Sequence, residues 1–151
     1  MTELPRAVRG LLDTNTLILL PRLSDPLTLP HLPLISAVTL AELSVGPLVA
    51  TTDEERRSRQ AILQQTEADF DPLPFDADAA RAFGRVAASL RAAGRKTTAR
   101  AYDAMIAATA IANGLALHTC NPDDFSGIAD LELVPIPHPD AAMPGSRQSA
   151  R

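Results

Sequence analysis

The chain has 151 residues, 46% of them hydrophobic and 21% charged, which gives room for one domain with its own core and excludes general disorder. Its formal net charge of −4 excludes nucleic-acid binding by bulk positive charge, and no apolar run reaches the roughly 18 residues of a membrane span, because Asp13, Asn15 and Arg22 break the most apolar stretch. The N-terminus MTELPRAVRGLLDTNT has no secretory h-region or cleavage site. A lone Cys120 permits neither an internal disulfide nor a cysteine-rich zinc centre, so a cytoplasmic protein is expected.

In chain order, the apolar run from Val8 to Asp13 reads as a buried strand. Pro21, Pro26, Pro30 and Pro33 mark an irregular connection, after which Leu34 to Ser36 form a second short strand. The helix that follows, AVTLAELSVGPL, places Val38, Glu42 and Val45 on one stripe. Residues 53–69 form a polar helix whose acidic first turn suits a helix N-terminus. With 37–48 it is expected to make a partner surface, since it mixes charges with Ile62 and Leu63.

DPLPF is an extended piece. Asp76 or Asp78 caps the next helix, in which Ala79, Phe83, Val86 and Leu90 recur at helical spacing and Gly94 is the stop. A basic block spans residues 81–100, with Arg81, Arg85, Arg91, Arg95, Lys96 and Arg100 and no acid among them. It reads either as a solvated helix face or as a contact for a polyanion. A helix over 100–112 carries Asp103, Ile106, Ala107 and Ala110 on one face and stops at Asn113-Gly114; LALHT and ELVPI follow as strands. Proline opens a tail from residue 138 that has little to bury, so residues 1–137 are expected to form the domain and 138–151 a disordered tail. Alternating short apolar strands and helices predict an α/β fold of three α/β/α layers around a mainly parallel sheet.

In such sheets ligands gather beyond the carboxyl ends of the strands. Asp13 ends the first strand there, Glu42 sits in the helix after the second, Asp103 lies near the start of the 100–112 helix, and Asp124 closes TCNPDDF after the strand LALH. Three have a structural alternative: Asp13 as a helix cap, Glu42 as a surface residue, Asp124 or Asp123 as an Asx turn. Asp103 shares its face with Ile106, Ala107 and Ala110, and so points along the buried stripe rather than toward water. Two carboxylates about 5 Å apart repel by about 3 kcal/mol at an effective dielectric near 20. Four converging acids therefore require either that some be protonated or that a cation sit among them, and an all-oxygen donor set suits Mg²⁺ or Mn²⁺. His31 and His138 lie in proline-rich connections and His118 on a strand, so no zinc-ligand spacing exists. Cys120 abuts the last acid without a basic partner and reads as a small buried thiol.

At GLLDTNTLI, ISAVTLAELSVG, YDAMIAATAIANG and HTCNPDDF, in that order and spacing over residues 8 to about 136, the chain resembles the PIN-domain ribonucleases, and within them the VapC toxins of bacterial toxin–antitoxin pairs. The resemblance implies that Asp13, Glu42, Asp103 and Asp124 are the catalytic metal-binding acids, with Asp124 chosen over Asp123 because it precedes Phe125. It implies that Thr14, Asn15, Thr119 and Asn121 orient the acids and the scissile phosphate. It further implies a Mg²⁺- or Mn²⁺-dependent endoribonuclease, a homodimer, and inhibition by a VapB-type antitoxin whose C-terminal segment fills the groove. Arg91, Arg95, Lys96 and Arg100 are then the candidates for holding the RNA backbone that the acids repel.

Two other readings compete. A haloacid-dehalogenase-type phosphatase also places an Asp after its first strand, but needs a second Asp two residues on, where this chain has Asn15. A non-catalytic binding module would use the same acids only to hold a basic partner.

Overall fold

A computed structural model of the chain describes residues 8–141. Four parallel strands, β1 (Arg9–Leu12), β2 (Leu32–Leu34), β3 (Leu117–Thr119) and β4 (Leu133–Pro135), lie in the order β2-β1-β3-β4. β1 is interior, with Leu11 opposite both Leu34 and Leu117. Neighbouring strand residues point to opposite faces. Leu11 accordingly joins a core with Val38, Ile106, Ala107, Ala110 and Leu117, while Leu12 joins another with Leu17, Ile35 and Leu43. An apolar run buried on both sides is what an interior parallel strand requires, and it makes the fold the expected three layers.

The helices are α1 (Thr14–Leu19), α2 (Ala37–Val45), α3 (Asp53–Asp69), α4 (Ala77–Ala92) and α5 (Ala101–Ala112). Four start on side-chain caps: Asp13, Ser36, Thr52 and Asp76 each accept from a backbone N–H two or three residues on, and each satisfies a donor that the first turn leaves open. Of the two candidates before α4, Asp76 is the cap. Gly94 and Gly114, with φ of +76° and +63°, turn the chain out of α4 and α5 in the left-handed region that other residues resist. α4 and α5 pack through Ala82, Val86, Leu90, Ala104 and Ala108, alanines alternating with larger side chains. Among the described residues, no helix is long and apolar enough to cross a membrane.

Several expectations shift. The second strand lies at Leu32–Leu34 rather than 34–36, because Ser36 leaves the ladder to cap α2 and bridges instead to Leu73, the middle of the extended DPLPF piece. Val45 is half-exposed; α2 packs against the sheet, α5 and α3, so its inward face runs Val38, Thr39, Leu43. Ile62 and Leu63 are half-buried against Leu12, Ile35 and Leu43 instead of standing free. Of the tail expected from residue 138, the first residues form a turn in which Asp140 pairs with Arg22; the rest, 142–151, lies outside the described residues. Cys120 is buried, as its setting suggested.

Candidate functional site

Asp13 stands where β1 passes into α1, and it is both a helix cap and part of the acidic group. Its Oδ1 accepts from the Thr16 N–H at 3.2 Å and its Oδ2 from the Thr119 hydroxyl at 2.9 Å, which ties the end of β1 to the end of β3. Thr119 is held in turn by the Asn121 N–H at 2.9 Å. Thr16, fully buried, accepts from the Cys120 N–H at 2.9 Å. Burial pushes the Asp13 carboxyl up, and the Thr16 and Thr119 hydrogen bonds oppose that. In Thr119→Val, which keeps the shape and removes the donor, the Asp13 carboxyl is expected to titrate higher still by ¹³C NMR. An unchanged titration would show that Thr119 does not hold the anion.

Glu42, half-buried on α2, accepts from the Thr14 hydroxyl at 2.8 Å, and Thr14 also meets the Thr39 hydroxyl at 3.0 Å. Burial raises its carboxyl, Thr14 lowers it, and the Asp13 charge adds to the rise. Asp103 occupies the first turn of α5, where its carboxylate accepts no hydrogen bond from the described residues. It is pushed up to about 6, first by burial and then by the charges of Asp124, Glu42 and Asp13, against the opposing pull of Arg100. Asp124 lies in a single 3-10 turn, Pro122–Phe125, and its Oδ1 accepts from Arg100 Nη1 at 2.8 Å. Asp123 beside it is exposed and uses its backbone carbonyl to receive Arg95.

The four acids therefore share one electrostatic neighbourhood, but each of three has its own partner. Among the described residues, no three or more His, Cys, Asp or Glu side chains are arranged to hold one ion as they stand. Arg100 supplies part of the compensation that the crowded acids need. The donor set still fits a hard divalent ion: every acid offers oxygen, and Arg100 compensates only two of the four, Asp124 by an ion pair and Asp103 by its nearby charge.

Thr14 and Thr119 donate to acids, Asn121 contributes through its backbone, and Asn15 lines the open cleft with no side-chain hydrogen bond among the described residues. That cleft, about 570 Å³, is bounded by Asn15, Glu42, Thr98, Arg100, Tyr102 and Asp103. The basic block does not form one free surface. Arg95 Nη1 donates to the Ser126 carbonyl at 2.6 Å, Arg100 holds Asp124, and Arg81 pairs with Asp78, which leaves Arg85, Arg91 and Lys96 exposed outside the cleft's lining. Sequence reasoning missed Thr16, Thr39 and Tyr102. Thr39, three residues before Glu42 on the same helix, was within reach of a spacing argument.

The family model described as PIN domain matches residues 11–131. Ribonuclease VapC5 of Mycobacterium tuberculosis is 38% identical over 141 residues, 90% of this chain and 100% of that protein. Ribonuclease VapC4 of the same species is 35% identical over 102 residues, 68% of this chain and 75% of its own. Among solved structures, the VapBC-5 toxin–antitoxin structure from M. tuberculosis matches with a TM-score of 0.73 at 35% identity, over 85% of this chain and 99% of that one. The DNA-bound VapBC of Salmonella typhimurium matches with 0.68 at 26% identity, over 83% and 96%.

Proposed function

The chain belongs to the PIN-domain family, among the VapC ribonucleases of VapBC toxin–antitoxin systems, and from that premise we propose that it is a Mg²⁺- or Mn²⁺-dependent endoribonuclease neutralised by a VapB-type antitoxin. The observation that carries the reading is the gathering of Asp13, Glu42, Asp103 and Asp124 from four separate stretches of chain into one electrostatic group. Asp13, Glu42, Asp103 and Asp124 would hold the ion, and when bound it supplies Lewis-acid activation of a water and relief of charge at a phosphodiester.

The chain's own side chains do the rest. Thr119 and the Thr16 N–H fix both oxygens of Asp13, so its orientation is set before any ligand arrives. Thr14 does the same for Glu42. Asp103 accepts no hydrogen bond from the described residues, so its oxygens are open to a cation. Arg100 neutralises Asp124 with one N–H and has others to offer a phosphate oxygen; the exposed Arg91 and Lys96 would meet the backbone further along. Hydrolysis then forms the water oxygen–phosphorus bond and breaks the bond to the 3′ oxygen, which leaves a 3′-hydroxyl and a 5′-phosphate.

A VapB-type segment carrying a basic side chain would satisfy the same acids and so block the site. A homodimer is part of the reading by family likeness. The pairing of Arg100 with Asp124 also favours a second reading, a module whose acids only bind a basic partner. One assay separates them. Purified protein is expected to cut RNA with Mg²⁺ or Mn²⁺, leave 5′-phosphate ends and stop with EDTA. Cleavage that ignores EDTA, or no cleavage with either ion, contradicts the proposal.

A further inference from the structure

Tyr102 is the single tyrosine of the chain, which has no tryptophan. It occupies the first turn of α5, directly before Asp103, and lines the same cleft as Asn15, Glu42, Arg100 and Asp103. Its side chain is 55% exposed, the only aromatic among the exposed large hydrophobic residues described. The phenylalanines differ: Phe125 is buried, and Phe70, Phe75 and Phe83 pack on core clusters. The Tyr102 hydroxyl makes no hydrogen bond with the described residues, so neither packing nor polar contact explains the ring's position. One exposed ring on a general surface needs no explanation. This one stands at the mouth of a polar cleft of about 570 Å³, within the roughly 300–1,000 Å³ range of ligand sites, beside the acids and one guanidinium.

We propose that the Tyr102 ring is a stacking platform for a nucleobase of single-stranded RNA, the base next to the phosphate that faces Asp103. The inference rests on the ribonuclease reading and adds how substrate is held. A group of carboxylates repels a phosphate backbone, so binding gains from a contact that carries no charge. Every base has a π face, and an aromatic side chain accepts any of them. Arg100, two residues earlier on the same rim, is placed to meet the adjoining phosphate while the ring holds the base. The platform binds without choosing a sequence.

The composition supplies the probe: tyrosine emission from this protein comes from Tyr102 alone. A randomised 12-nucleotide RNA pool added to the Asp13→Asn protein, which prevents turnover, is expected to quench that emission as it saturates. An abasic chain of equal length should not. With cleavage allowed, Tyr102→Ala is expected to raise KM for the pool by about 5–150-fold, the range for losing one base–aromatic stack. Its kcat should stay within a few-fold, and Tyr102→Trp should restore KM. The proposal is overturned if bound RNA leaves the emission unchanged, if Tyr102→Ala cuts the pool with wild-type KM, or if a VapB-type peptide quenches and RNA does not. If wild-type protein cuts no RNA under any divalent ion, the ribonuclease reading itself falls and takes this one with it.

Discussion

Asp103→Asn is expected to abolish RNA cleavage, by more than about 100-fold, while making the metal-free protein more stable. The two effects have one cause. In the folded chain the Asp103 carboxyl is held up to about 6, against an ordinary value of 3.8, by burial and by three neighbouring carboxylates. Between those two values the folded state binds more protons than the unfolded one, so its stability falls as pH rises through that window. At pH 7.5 the loss is complete. Asparagine keeps the shape without the charge. Solvent reaches the partly buried group and screens part of the effect, so the gain is about 1–2 kcal/mol, or roughly 3–6 °C in Tm for a chain of this size. At pH 3.5 the variant and the wild type should melt together. A variant that melts below wild type at pH 7.5 while still cutting RNA would show that Asp103 is a structural acid.

Gly10→Ala is expected to cost about 1–3 kcal/mol of stability, a large effect for one methyl group. Gly10 lies in β1, and a Cβ there would stand 2.3 Å from His118 Cε1, 2.5 Å from Nδ1 and 3.1 Å from Pro30 Cγ. His118 is itself buried on the adjacent strand, paired in register with Leu12, and cannot swing into solvent. Chemical denaturation measures the loss, and Gly10→Ala made in a His118→Ala background should lose much less. Equal losses in both backgrounds would locate the clash elsewhere. The same histidine carries a pH dependence of opposite sign to that of Asp103. Burial lowers the His118 value below its ordinary 6.5, and Nδ1 has no hydrogen-bond partner among the described residues. The unfolded chain therefore binds the proton first, so this contribution is full above pH 6.5 and is lost as pH falls below it.

Much of this was legible in the sequence because the physics involved is local. β1 announces itself as an apolar run, α4 as a helical stripe ended by glycine, and the caps as Asp, Ser and Thr before helical pattern. The four acids stood out because each follows or precedes an apolar element, and the parallel topology brings such positions to one edge of the sheet. What stayed hidden depends on contacts between distant segments. Nothing near Arg100 in sequence reveals that its guanidinium closes on Asp124, 24 residues on, so the cluster looked less compensated than it is. Ser36 could serve strand or cap, and only the bridge to Leu73 decides for the cap. Val45 fits the helical stripe by spacing, but α2 packs on three neighbours and a single stripe does not describe its inward face. Tyr102 carries no periodic signal at all; its meaning comes from the cleft it borders.

The central claim is that Asp13, Glu42, Asp103 and Asp124 together take up a divalent cation, and thermal unfolding against Mg²⁺ and Mn²⁺ concentration tests it without any substrate. Selective binding to the folded state stabilises by about 2.7 kcal/mol at 100 times Kd. Wild-type Tm is predicted to climb through the millimolar range, and the curve for Asp103→Asn to remain flat. A wild-type curve as flat as that of the variant, or an equal climb in both, would contradict the account.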